Sequence, residues 1–220
     1  MEWHEQIVSW MSTFLLLSGF LTVFFHRFKN ILNCYMAQSF ALSCAIAAIA
    51  HHHGELHLLF LSVATLVLKA GIIPAWMRSF MKKVAARGEE KMFLGVSASL
   101  FCAAGILLLS HMIAGTVMGP GSGVGSGKAD DLTICLTLLL LGLFLMMTRK
   151  QALTQMLGIL FMENAITAAA ILLAGGMPMI IDLGIILDVL IGILVMGTLV
   201  FRIQNVFDTT DTDELRTLHG

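Results

Sequence analysis

Charge is what this sequence has least of. Only 12% of its residues are Asp, Glu, Lys or Arg, against 58% apolar ones, and the mean hydropathy is +0.90. A soluble domain needs roughly twice that share of charge to solvate its surface, so lipid is the expected solvent for most of the chain. The formal net charge is −1, and there is no basic tail of the kind that binds nucleic acid. The cysteines Cys34, Cys44, Cys102 and Cys135 stand singly inside apolar runs. Without CxxC spacing they exclude an iron–sulfur, zinc or disulfide framework and read as small core or lipid-facing residues. The opening Met1-Glu2-Trp3-His4-Glu5 has no positive n-region, and no small-residue cleavage site follows, so the first apolar run is expected to be retained as a helix. Short alternating segments that would build a barrel are missing too.

What is present is a series of apolar runs long enough to cross hydrocarbon, which takes about 20 residues of helix. They cover Val8–Phe25, Ile31–Ala50, Leu56–Met77, Met92–Ala114, Leu132–Thr148, Gln151–Ala174 and Met179–Phe201. An open strand cannot satisfy its backbone in lipid, so the expected fold is all-α, a polytopic transmembrane bundle of about seven helices. Alternate loops carry the basic residues. Arg27, Lys29, Arg78, Lys82, Lys83, Arg87, Lys91, Arg149, Lys150, Arg202 and Arg216 fall on one side, and Lys128 on the other. That asymmetry makes the first side cytoplasmic and places the N-terminus outside and the C-terminus inside.

A glycine- and serine-rich stretch, Gly115 to Asp131, reads as a flexible outward linker. Its GSGVGSGK lacks the spacing and the preceding strand that a phosphate loop requires. Around it the chain divides into similar units. Residues 8–80 and 132–201 each read as helix, basic doublet, helix, short turn, then a helix with one ionisable residue in mid-run. Three helices leave the chain on the far side, so a fourth must return it before a parallel repeat begins, and the run from Met92 fits that role. The expected organisation is therefore 1–80, a first three-helix unit; 81–131, a connecting helix and linker; 132–201, a second unit; and 202–220, an acidic tail.

Of fourteen acidic residues, Glu163 and Asp188 are the ones deep in apolar runs, and Lys69 is the one basic residue so placed. At about 1.5 Å per residue, Glu163 lies ~18 Å from the basic doublet, Asp188 ~21 Å from Arg202, and Lys69 ~13 Å from Arg78. All three are expected near one polar layer. Burial disfavours the charged form of an acid or an amine, so such groups become able to exchange protons, and intramembrane ionisable residues commonly serve transport. A hydrogen-bonded carboxylate tying helices together is the alternative, as is snorkelling for Lys69. His51-His52-His53 with Glu55 and His57 do not make a metal site without distant ligands, Pro74 is expected to kink or end the third helix, and the fifteen methionines suit lipid-compatible packing.

The segment Gln151-Ala-Leu-Thr-Gln-Met-Leu-Gly-Ile-Leu-Phe-Met-Glu-Asn-Ala165 resembles the second helix of the K-type subunit of respiratory complex I, where a Gly-Leu-Glu element precedes Asn-Ala. Leu187-Asp188-Val-Leu-Ile-Gly192 is similar to that subunit's third helix with its intramembrane glutamate, here replaced by Asp188. The family's first acidic position falls on Leu160, and Glu163 stands one helical turn later. In the first unit, Gln38 and Ser39 lie near the corresponding position of the second helix and Lys69 at that of the third. Lys69-Ala-Gly-Ile-Ile-Pro74 is also similar to the lysine-and-proline elements of antiporter-like subunits.

A doubled K-type chain of this length resembles hydrogenase-4 component E over nearly all of its residues. The resemblance implies a subunit of a group 4 [NiFe] hydrogenase or formate hydrogenlyase-like complex, an oxidoreductase whose [NiFe] centre and iron–sulfur clusters reside in partner subunits. This chain would have no cofactor or redox site of its own. Its partners would be antiporter-like and other membrane subunits, soluble hydrogenase subunits and the bilayer of a bacterial or archaeal inner membrane. Glu163, Asp188 and Lys69 would transfer protons, with Gln38, Ser39, Asn164 and Pro74 beside them. A subunit of a multisubunit cation/proton antiporter would use the same buried groups, and a structural membrane scaffold would need none of them to ionise.

Overall fold

A computed structural model describes residues 3–54, 56–84, 95–118, 126–149 and 151–174, together with Gly192. Every regular element among them is helical: α1 (Trp3–Phe24), α2 (Phe28–His53), α3 (Leu56–Thr65) continuing through a π-helical segment (Leu66–Ile72) into α4 (Ile73–Val84), α5 (Val96–Val117), α6 (Ser126–Thr148) and α7 (Ala152–Ala174). Five helical stretches among the described residues are long and apolar enough to cross a bilayer: Phe28–His51, Leu58–Ser79, Val96–Val117, Gly127–Thr148 and Leu153–Leu173. The apolar part of α1 is shorter, Ser9–Phe24, although the helix itself has 22 residues. The protein is thus an all-helical membrane bundle. The expected run Met179–Phe201 and the tail 202–220 lie outside the described residues, apart from Gly192.

The ends of the helices follow local chemistry. Helix α2 continues past the expected Ala50 through His53, and it ends there because Gly54 takes the left-handed conformation (φ 69°) and donates its N–H to Ala50 O at 2.9 Å. The glycine-rich stretch is also shorter than its composition suggests. Gly115–Val117 remain in α5, and Ser126–Asp131 are already helical in α6. Once the apolar part of α6 is formed, each added residue gains a backbone hydrogen bond without a new nucleation cost, and this outweighs the propensity of Gly127.

Helices α1 and α2 form a hairpin, as do α6 and α7, and the two hairpins pack with α1 against α6 and α2 against α7. Their turns are alike. Arg27 O accepts from the N–H groups of Asn30 and Ile31, and Gln151 O accepts from those of Thr154 and Gln155, at the same offsets. Helices α6 and α7 approach each other closely at a pair of glycines. A methyl group on Gly142 would lie 2.9 Å from Gly158 O, and one on Gly158 would lie 2.8 Å from Gly142 O. Only glycine permits backbones to meet so closely, and without a hydrophobic force between helices in lipid, such contact supplies the packing energy.

Leu15, Leu42, Ile46, Leu58, Leu138 and Ala168 fill the centre between α1, α2, α3, α6 and α7. Helix α5 buries only a small-residue face, Ser99, Ala103, Ser110 and Ala114, against α1 and α6. Leu59, Phe60, Val63 and Val67 point out of the bundle, a pattern suited to a lipid-facing or subunit-facing surface.

Candidate functional site

Lys69 sits in the π-helical segment, and the sequence around it accounts for the wide turn. In an α-helix the ring of Pro74 would press on the carbonyl of Ala70. Instead Ile73 donates its N–H five residues back, to Leu68 O. The Lys69 carbonyl has thereby lost its ordinary α-helical donor, and the donor that π geometry would supply is Pro74, which has no N–H. Pro74 is buried in the first turn of α4 and shapes the helix beneath Lys69.

Helix α2 is held in register with α3 by two reciprocal hydrogen bonds. Ser43 Oγ donates to Ser62 O at 2.8 Å, and Ser62 Oγ donates to Ser43 O at 2.9 Å. One turn from Ser43 along α2 are Gln38 and Ser39, and two turns from Ser62 along the third span is Lys69. On the other side, the glycine contact between α6 and α7 fixes the helix that carries Glu163 and Asn164.

These elements bring five of the residues singled out in the sequence into one cluster. Lys69 Nζ lies 3.4 Å from Glu163 Oε1 and donates to Asn164 Oδ1 at 3.2 Å. Asn164 Nδ2 donates to Gln38 Oε1 at 3.2 Å and to Ser39 Oγ at 3.1 Å. None of the five is more than 2% exposed, so the cluster is a polar island inside the apolar bundle. Taking an ion pair out of water costs several kcal/mol per ion, and the mutual attraction repays this only when further hydrogen bonds complete the site. Asn164 supplies one such bond to Lys69. Thr167 Oγ1 donates to Glu163 O at 3.0 Å and occupies the backbone on the next turn of α7.

Pro74 does not join the cluster, and Asp188 lies outside the described residues. Leu160, where the complex I-like pattern has its acid, is fully buried on α7, one turn before Glu163. Among the described residues there is no group of three or more potential metal ligands. The described cysteines are free: Cys34 and Cys135 are buried, Cys44 is half-buried and Cys102 is exposed.

The sequence does not reveal the roles of two residues. Thr65 is four residues before Lys69 on the same helical face, and its buried hydroxyl has no hydrogen-bond partner among the described residues; the i, i+4 spacing would have found it. Arg149 read as a loop charge, yet it is 2% exposed and donates from Nη2 to Phe25 O at 2.7 Å and to Val23 O at 3.4 Å. It caps the last carbonyls of α1 with a cation and ties the two hairpin turns together. Nothing in the sequence separates it from its neighbour Lys150.

The chain is 31% identical over 206 residues to an uncharacterized protein of Mycobacterium tuberculosis, Rv0085, covering 93% of this chain and 92% of that protein. It is 25% identical over 216 residues to hydrogenase-4 component E of Escherichia coli K12, covering 98% of this chain and 99% of that one, and equally so to the same component of Shigella flexneri. No family profile matches the chain, and no solved structure matches it.

Proposed function

Because the chain belongs to the family of Rv0085 and is related over nearly its whole length to hydrogenase-4 component E, we propose that it is a non-catalytic inner-membrane subunit of a hydrogenase complex. In this reading the complex is of the group 4 [NiFe], formate hydrogenlyase-like kind. Its [NiFe] centre and iron–sulfur clusters belong to soluble partner subunits, and antiporter-like membrane subunits flank this chain. In the same reading the basic loops face the cytoplasm, and a relation to the K-type complex I subunit would account for the two similar hairpins.

The observation that carries the mechanistic part is the buried pair Lys69–Glu163 at 3.4 Å. A carboxylate and an amine in contact inside an apolar bundle can share a proton or hand it to a neighbouring group, and intramembrane ionisable groups commonly serve transport in this way. Glu163 and Lys69 would pass a proton within the membrane, Asp188 would continue the path, and no redox step would occur in this chain.

Affinity purification of the tagged chain from native membranes is the test. Soluble hydrogenase subunits should co-purify, and Glu163→Gln should assemble normally while redox-driven proton movement in vesicles drops. Co-purification with antiporter subunits alone, with no redox protein, would refute the hydrogenase assignment. Unchanged proton movement in the Glu163→Gln complex would refute the role of the pair.

A further inference from the structure

The geometry points to Asn164 as a positioning residue: with its amide held in one orientation by Gln38 and Ser39 of α2, it presents its carbonyl to Lys69 and so keeps that lysine aligned on Glu163. This deepens the proposed proton-transfer reading and rests on it for its biological meaning.

A side-chain amide has one accepting oxygen and two N–H donors, whereas an ammonium group only donates. In the cluster the Asn164 donors are both engaged on α2, at 3.2 Å to Gln38 Oε1 and 3.1 Å to Ser39 Oγ, which leaves Oδ1 for Lys69 Nζ at 3.2 Å. Turning the Asn164 amide over would set its oxygen against Gln38 Oε1 and its nitrogen against the ammonium, which places acceptor on acceptor and donor on donor. Gln38 has the same constraint. Its Nε2 is buried with no hydrogen-bond partner among the described residues, and the bond its oxygen accepts from Asn164 is what sets its orientation.

The consequence is a line of control across three elements. Lys69 is on the π-helical segment, Glu163 and Asn164 are adjacent on α7, and Gln38 and Ser39 are adjacent on α2. A shift of α2 relative to α7 releases the Asn164 amide. The ammonium then loses the Asn164 oxygen as an acceptor, and its alignment on Glu163 loosens. Gln38 and Ser39 therefore act on the ion pair through Asn164.

The full chain in lipid nanodiscs provides the test, read by the infrared carboxylate stretching bands of Glu163, assigned through their loss in Glu163→Gln. Asn164→Leu should shift these bands. Gln38→Leu combined with Ser39→Ala should shift them in the same direction, and adding Asn164→Leu to that background should change them little further. In the native complex, both sets of changes should slow redox-driven proton movement about two- to tenfold, the effect of one lost hydrogen bond. Wild-type bands in the Gln38/Ser39 variant would overturn the proposal, as would wild-type bands in Asn164→Leu. If Asn164→Leu fails to insert, the Gln38/Ser39 variant alone decides in the same way. Shifted bands with normal proton movement would leave the positioning role standing and remove the proton-transfer role of the cluster.

Discussion

Neutralising Lys69 tests the energetics of the site directly. At 3.4 Å, and with an effective dielectric of about 20, the attraction between Lys69 and Glu163 is about 5 kcal/mol. Desolvating the two ions costs several kcal/mol each, so the net contribution of the pair is small while the cost of breaking it is large. Lys69→Met removes the cation that lies 3.4 Å from the buried Glu163 carboxylate. The expected loss of stability is about 3–5 kcal/mol. Glu163→Met should cost a similar amount. The double variant replaces both ions with apolar side chains of fitting length and should cost much less than the sum, near that of one single variant or below it. The assay is reversible unfolding of the full chain in mixed micelles with increasing denaturing detergent, with helicity as the readout. Additive single and double effects would show that the two groups do not act as a pair, and the reasoning from the 3.4 Å contact would fall.

Gly158→Ala should destabilise the chain by about 1–3 kcal/mol, because the new methyl meets the backbone of Gly142 at 2.8 Å and of Met146 at 3.0 Å; the same unfolding assay checks this. Arg149→Met should cost about 1–3 kcal/mol, since Val23 O and Phe25 O lose their donor, and Arg149→Lys should recover only part of it in thermal unfolding. Asp188→Asn keeps volume and hydrogen bonding but cannot ionise; the complex should assemble while proton movement in vesicles falls sharply, and Asp188→Glu should retain much more. Ser122→Cys, in a background without accessible native thiols, should react with membrane-impermeant reagents on intact cells; labelling by permeant reagents alone would reverse the assigned orientation.

The helical class and most of the spans were legible from sequence alone, because in lipid each backbone N–H must be satisfied within its own segment and hydropathy therefore maps directly onto helices. Glu163 and Lys69 stood out for the same reason: an ionisable group in mid-span is costly enough to be conspicuous. Their depths could be estimated from the helical rise, but depth is a single coordinate. That Lys69 meets Glu163 rather than lipid, and that Asn164 turns its oxygen to one helix and its nitrogen to another, depends on helix rotation and on close contacts such as Gly142 on Gly158. Those contacts join residues far apart in the chain and leave no periodic trace in it. The π-helical turn at Leu66–Ile72 was likewise hidden, since Pro74 announces a disturbance but not its geometry. Arg149 shows the converse. Its charge marked an end of a span correctly, and only the packing of one hairpin turn against the other took it out of water and gave it the carbonyls of α1 to hold.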